Sequence, residues 1–141
     1  MAEVMLRQAL AERGADGVTV SSAGTGAWDG APVSEGGYLV ALEHDLDLSA
    51  HRARLLTRDA VQDADLILTM SRSHRARVAD LGGGAKSFLL GEYAGRTGSA
   101  AEVRDPFGGD IEGYRQTFRE LDELLDRVVE RLQRERSGDR R

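Results

Sequence analysis

The chain has 141 residues, of which 40% are hydrophobic and 30% are charged, a balance typical of one soluble globular domain. Its formal net charge of −5 argues against a general nucleic-acid binder, and no apolar run approaches the length of a membrane span. The absence of cysteine excludes disulfides, thiolate metal sites and a thiol nucleophile within these residues, and the three histidines lack a zinc-binding spacing.

The first half of the chain predicts three helices and one strand. Apolar residues recur on one side of residues 2–13, and the absence of an apolar signal-peptide core there favours a cytoplasmic protein. The sequence VTVSSA, residues 18–23, predicts a buried strand that runs into a glycine turn. Ser34 is placed to cap a helix over residues 35–45, and a short helix is expected around 57–63.

The second half predicts two more strands and two more helices. The continuous apolar run ADLILTM predicts a parallel strand over residues 65–70 that is covered on both faces. Ser71 should cap the next helix, and KSFLL, residues 86–90, predicts a further short strand. Apolar residues recurring every three or four positions over 111–133 predict a long amphipathic helix, and residues 135–141 are expected to be a disordered tail.

Strands that alternate with helices predict one three-layer α/β domain over residues 1–134, built on a parallel sheet. Ligands of such sheets bind beyond the carboxyl ends of the strands, so the segments SAGTGAW, TMSRSH and RDPFGG should gather at one end. In the last of these, Pro106 pushes Asp105 toward extended geometry, as in loops that hold a carboxylate at the mouth of a site. Asp105 is therefore a candidate proton donor.

Five segments, taken in order, resemble the low-molecular-weight protein tyrosine phosphatases, particularly the bacterial branch that includes protein arginine phosphatases. They are MAEVMLRQAL, SSAGTGAW, DLSAHRARLL, ADLILTMSRSH and DPFGGDIEGYRQTFRELDELL, and together they span nearly the whole chain. The resemblance implies a phosphotyrosine phosphatase I-like fold with four parallel strands. In that family a Cys-x5-Arg-Ser-Pro loop joins the central first strand to the first helix. Because this chain opens inside that helix, with no capping residue before it, we expect the first strand and the loop to be missing.

The resemblance also implies roles for individual residues. Asp105 matches the general acid, and Trp28 and Phe107 match aromatic residues on opposite rims of the substrate cleft. Ser22 and His51 match residues that support the phosphate loop by hydrogen bonds, and without that loop they should be solvated or paired elsewhere. The resemblance implies no metal and no cofactor.

The function implied by the resemblance is hydrolysis of phosphotyrosine or phosphoarginine through a phospho-cysteine. The partner would be a phosphorylated protein or a small phosphomonoester, with no part for nucleic acid or membrane. Since the chain contains no cysteine, it should be inactive as written. The alternative is a catalytically dead phosphatase-like domain that binds a partner without turnover.

Two expectations concern stability. Relatives usually have glycine where this chain has Asp45, and a left-handed backbone there would cost about 1 kcal/mol with aspartate. Loss of the central strand would leave its two neighbours with unpaired edges, so the isolated chain should fold poorly or aggregate.

Overall fold

The computed structural model describes residues 1–15 and 17–138. It confirms the predicted α/β class, with helices predominating around a small parallel sheet. The elements in chain order are α1 (Ala2–Glu12), α2 (Glu35–Glu43), α3 (Arg58–Asp63), β1 (Ile67–Thr69), α4 (Arg72–Asp80), β2 (Ser87–Leu89), α5 (Leu90–Tyr93) and α6 (Ile111–Gly138). Two 3-10 turns, Gly84–Lys86 and Gly98–Ala101, complete the set.

Helices cover both faces of the sheet. Strands β1 and β2 pair in parallel, with Ile67 opposite Ser87. The side chain of Ile67 lies on one face of the sheet and packs into a small cluster with residues of α3 and α4. The side chains on the opposite face of the sheet join the main core. The neighbours on that second face are Leu66, Leu68, Met70 and Phe88, and they pack against residues of α1, α2, α5 and α6. The alternation of side chains along β1 therefore produces three layers.

Helix α6 supplies the largest share of the main core, as its apolar periodicity predicted. It is also longer than predicted, because it continues to Gly138 and includes residues 135–138 of the expected tail. Arg131 Nε donates to Glu135 Oε1 at 2.8 Å, and the Tyr93 hydroxyl donates to Glu135 Oε2 at 2.7 Å. The bond from Tyr93 secures the extra turn to α5, and the bond from Arg131 lies within α6. Residues 139–141 lie outside the described residues.

Residues 18–23 do not form the predicted buried strand. Their backbone belongs to no ladder, and Thr19, Ser21 and Ala23 are exposed. A strand requires a neighbouring strand, and this segment is held instead by side-chain donors: Arg7 donates to the Val20 carbonyl at 3.0 Å. Within the described residues the sheet thus has two strands, fewer than the four that the resemblance implies.

Helix starts follow the predicted caps. The Ser34 and Ser71 hydroxyls accept hydrogen bonds from the backbone N–H groups of Gly37 and His74, and Thr57 does the same for α3. Helix α1 begins at Ala2, and its N-cap residue, Met1, provides no side-chain cap, as expected.

The end of α2 confirms the left-handed backbone predicted at Asp45, whose φ is 62°. The Leu46 N–H bonds to the Ala41 carbonyl at 2.9 Å, and the Asp45 N–H bonds to Leu42 at 3.1 Å, which is a Schellman ending. Helix α1 ends with the same bond pattern at Gly14, whose φ is 64°. Among the described residues, Asp45 is the one non-glycine residue with positive φ.

Candidate active site

Ser22 and His51 meet at the carboxylate of Glu3. The Ser22 hydroxyl donates to Glu3 Oε1 at 2.8 Å, and Arg7 Nη2 lies 2.8 Å from Glu3 Oε2. His51 Nδ1 stands 3.7 Å from the same Oε2. Both residues therefore lie beside the carboxylate of Glu3 in this structure. Glu3 was not singled out from the sequence, although its spacing of four from Arg7 on α1 was a usable signal.

Charge and burial set the protonation of this cluster. Partial burial opposes ionisation of Glu3, but hydrogen bonds from Ser22 and Arg7 outweigh it and lower the pKa of Glu3. Burial of the imidazole, together with the Met1 ammonium, Arg7 and Arg52, lowers the pKa of His51 despite the attraction of Glu3. The cluster thus favours an ionised Glu3 beside a neutral His51.

Asp105 lies on the loop between the turn Gly98–Ala101 and α6, and this loop bonds to the chain at the carboxyl end of β1. The Val103 N–H donates to the carbonyl of Met70, the first residue after the strand, at 2.8 Å. Val103 is buried, whereas Asp105 two residues later is exposed. Asp105 Oδ1 accepts from the Phe107 N–H at 2.9 Å, so the carboxylate is held against the backbone of Phe107 in one turn.

Trp28 lies on a different loop, which is attached to residues 52–56. The Gly30 N–H donates to the Ala53 carbonyl at 2.9 Å, and Asp29 Oδ1 accepts from the Leu55 N–H at 2.7 Å. The Trp28 side chain is 82% exposed and that of Phe107 is 78% exposed. Both rings therefore present apolar surface to solvent, which is unusual for residues of this size.

The described side chains bring together two groups of the predicted site residues. Ser22 and His51 share Glu3, and Asp105 shares a turn with Phe107. An exposed carboxylate beside an exposed ring can present a proton to a bound group, and a solvent-facing aromatic can stack on a flat substrate. Among residues 1–15 and 17–138, no cluster of three or more His, Asp or Glu side chains has the arrangement of a metal site. In the same residues, no helix is both long and apolar enough to cross a bilayer.

Comparison with known proteins gives the family. The family model for low molecular weight phosphotyrosine protein phosphatase matches residues 1–138. The chain is 36% identical over 138 residues to the protein-arginine-phosphatase of Bacillus subtilis, covering 96% of this chain and 89% of that protein. It is 36% identical over 111 residues to the low molecular weight protein-tyrosine-phosphatase PtpB of Staphylococcus haemolyticus, covering 78% and 77%.

Solved structures agree with the sequence matches. The YwlE arginine phosphatase from Geobacillus stearothermophilus superposes with a TM-score of 0.86 at 30% identity, covering 97% of this chain and 86% of that one. The fold and the site together define a class of protein. It is an α/β domain with a small parallel sheet and an exposed aspartate, Asp105, on a loop beyond the end of one strand. The chain belongs to the low molecular weight phosphotyrosine protein phosphatase family.

Proposed function

We propose that this chain carries the proton donor and the cleft rims of a phosphatase that acts on phosphotyrosine or phosphoarginine in proteins. The observation that carries the proposal is the position of Asp105, an exposed carboxylate anchored through Val103 to the carboxyl end of β1. Ligand sites of parallel sheets lie at that end. The names of the relatives, which include arginine and tyrosine phosphatases, support both substrates.

In this proposal each site residue has a distinct task. Asp105 protonates the leaving group as the phosphorus–oxygen or phosphorus–nitrogen bond breaks, and then accepts a proton from the water that hydrolyses the phospho-enzyme. Trp28 and Phe107 flank the leaving group. Ser22 and His51 act on the anion-binding loop, and Glu3 is the group that they contact here.

Phospho-cysteine chemistry needs a thiol, and the 141 residues contain no cysteine. The 141-residue chain should therefore not hydrolyse a phosphomonoester. The same observation favours the second candidate function, a phosphatase-like domain that binds a phosphorylated partner without hydrolysis. Reading the codons in frame before Met1 discriminates between the two: a Cys-x5-Arg-Ser-Pro sequence favours the enzyme and a stop codon favours the binding domain.

The biochemical test compares the 141-residue chain with a fusion protein, and the substrate is p-nitrophenyl phosphate. The 141-residue chain should show no hydrolysis above its Asp105→Asn variant. A fusion that joins a strand and a Cys-x5-Arg-Ser-Pro loop before Met1 should hydrolyse the substrate, and Asp105→Asn in the fusion should lower kcat by about 100- to 10,000-fold.

Asp110→Asn is the matched control, because Asp110 lies in the same loop and an asparagine oxygen can still accept from the Gly113 N–H at the start of α6. This control should retain nearly full activity. If the unfused chain hydrolyses the substrate and Asp105→Asn abolishes that activity, the need for an external thiol is contradicted. If Asp105→Asn and Asp110→Asn both leave the fusion fully active, the role of Asp105 is refuted.

A further inference from the structure

The segment before Asp105 is fastened to helix α4 by one guanidinium. Arg72, the first residue of α4, donates through Nη1 to Glu102 Oε1 at 2.6 Å and through Nη2 to the Gly98 carbonyl at 3.1 Å. Gly98 begins the 3-10 turn Gly98–Ala101, and Glu102 directly follows it. A single planar side chain thus secures both ends of the turn.

The other side of the turn is held by close backbone packing. A Cβ built on Gly91 of α5 would lie 2.3 Å from the Ala101 carbonyl oxygen, so glycine is required for this approach. Ala101 is fully buried. The turn is therefore held between α5 on one side and Arg72 on the other.

Between Val103 and the start of α6 at Ile111, the hydrogen bonds that the structure describes are local to the loop and the first turn of the helix. Arg104 and Asp105 are exposed, and Phe107 is bonded through its N–H to Asp105 itself. The position of the Asp105 carboxylate relative to the sheet therefore depends on the residues that precede it, because the buried Val103 is only two positions away. Those residues are secured by Arg72, the Gly91 contact and the bond from Val103 to Met70.

We propose that Arg72 is a positioning residue for the Asp105 loop, an inference that rests on the proposed role of Asp105 as proton donor. Arg72 does not act on the substrate. It holds the turn Gly98–Ala101 against α4, so that Asp105 is presented at a fixed distance from the end of β1. Lysine cannot replace it fully, because an ammonium group lacks the planar fork that reaches a carboxylate and a carbonyl together.

The test is amide hydrogen exchange of the 141-residue chain, resolved by residue with NMR at a concentration where sedimentation velocity shows the monomer. In Arg72→Ala, the amides of Val103 and Phe107 should exchange about fivefold faster, the change expected when a partly exposed charge contact is lost. Arg72→Lys should restore part of the protection. Arg77→Ala removes another exposed arginine from the same helix and should leave both amides unchanged, as should every variant at the Gly113 amide.

The outcomes separate a positioning role from a general stabilising one. If the Val103 and Phe107 amides exchange as in the parent chain, or if all core amides accelerate together with them, the proposal is overturned. In the fusion protein, Arg72→Ala should lower kcat about fivefold with KM unchanged. Exchange needs no substrate, so faster exchange of the Val103 and Phe107 amides in Arg72→Ala, together with an inert Asp105→Asn substitution in the fusion, would refute the proposed function and leave the anchoring by Arg72 standing.

Discussion

At the scale of single residues, the protonation of the cluster around Ser22 and His51 depends on the Glu3 carboxylate. Glu3 contacts Ser22, Arg7 and His51, and each partner comes from a different part of the chain or a different turn. The Glu3 side chain is 13% exposed and that of His51 is 15% exposed, so neither group is fully screened by water. Protonation in this cluster should therefore affect folding.

His51 should make the protein less stable in mild acid. Because its pKa is lowered in the folded state, the unfolded chain binds a proton first as pH falls below about 6.5, and stability declines from there until pH reaches the folded pKa. We expect urea midpoints to fall between pH 7.5 and 5.5 in the parent chain and to fall less in His51→Gln. His74→Gln is the control for the loss of one imidazole. If the urea midpoints of the parent chain and of His51→Gln fall equally with pH, the prediction is contradicted.

At the scale of secondary structure, local signals accounted for most elements. Ser34 and Ser71 cap the helices that the sequence placed after them, and the apolar repeat identified α6. Pairing is not a local property, so a β-rich sequence over 18–23 could not reveal that the segment lacks a ladder neighbour. Helix α5, only four residues long, was missed because it is too short to show a period.

The site was predictable to a similar extent. The loop chemistry of Asp105 and Pro106 could be read from neighbouring residues, since an Asp-Pro turn constrains its own backbone. The contact between Glu3 and His51 joins positions far apart in the chain and could not be read in that way. The anchoring of Glu102 by Arg72 spans 30 positions and is hidden from any local pattern for the same reason.

The end of α2 offers a test of backbone strain. Asp45→Gly should raise the free energy of unfolding by about 1 kcal/mol, because glycine adopts the left-handed region without a Cβ clash. Gly14→Asp, at the equivalent position after α1, should lower it by a similar amount. Both values come from urea unfolding at neutral pH. A destabilised Asp45→Gly protein would show that the aspartate side chain contributes more than its backbone costs.

At the scale of the whole molecule, the sheet is small, with two strands in the part of the chain that the structure describes. Within the described residues, β1 has β2 as its ladder partner on one side, and the face of β1 that bears Leu66, Leu68 and Met70 is only partly buried. An open strand edge beside apolar side chains favours pairing with other chains.

We therefore expect the 141-residue chain to associate as its concentration rises. Sedimentation velocity over a concentration series should show growing species above the monomer. The fusion with an added strand and loop should sediment as a monomer, because the extra strand can cover the open edge. A chain that stays monomeric throughout and unfolds in one cooperative urea transition would be the opposite of this expectation.

The attachment of the Trp28 loop has a consequence for how such proteins diversify. In the part of the chain that the structure describes, its long-range backbone bonds run to residues 52–56, which form another loop, and none runs to β1 or β2. Replacing the indole would thus leave the hydrophobic interior untouched while altering what the rim can accept. Under the proposed role of Trp28 at the rim of the cleft, substitutions of this side chain can change substrate preference with little cost in folding stability.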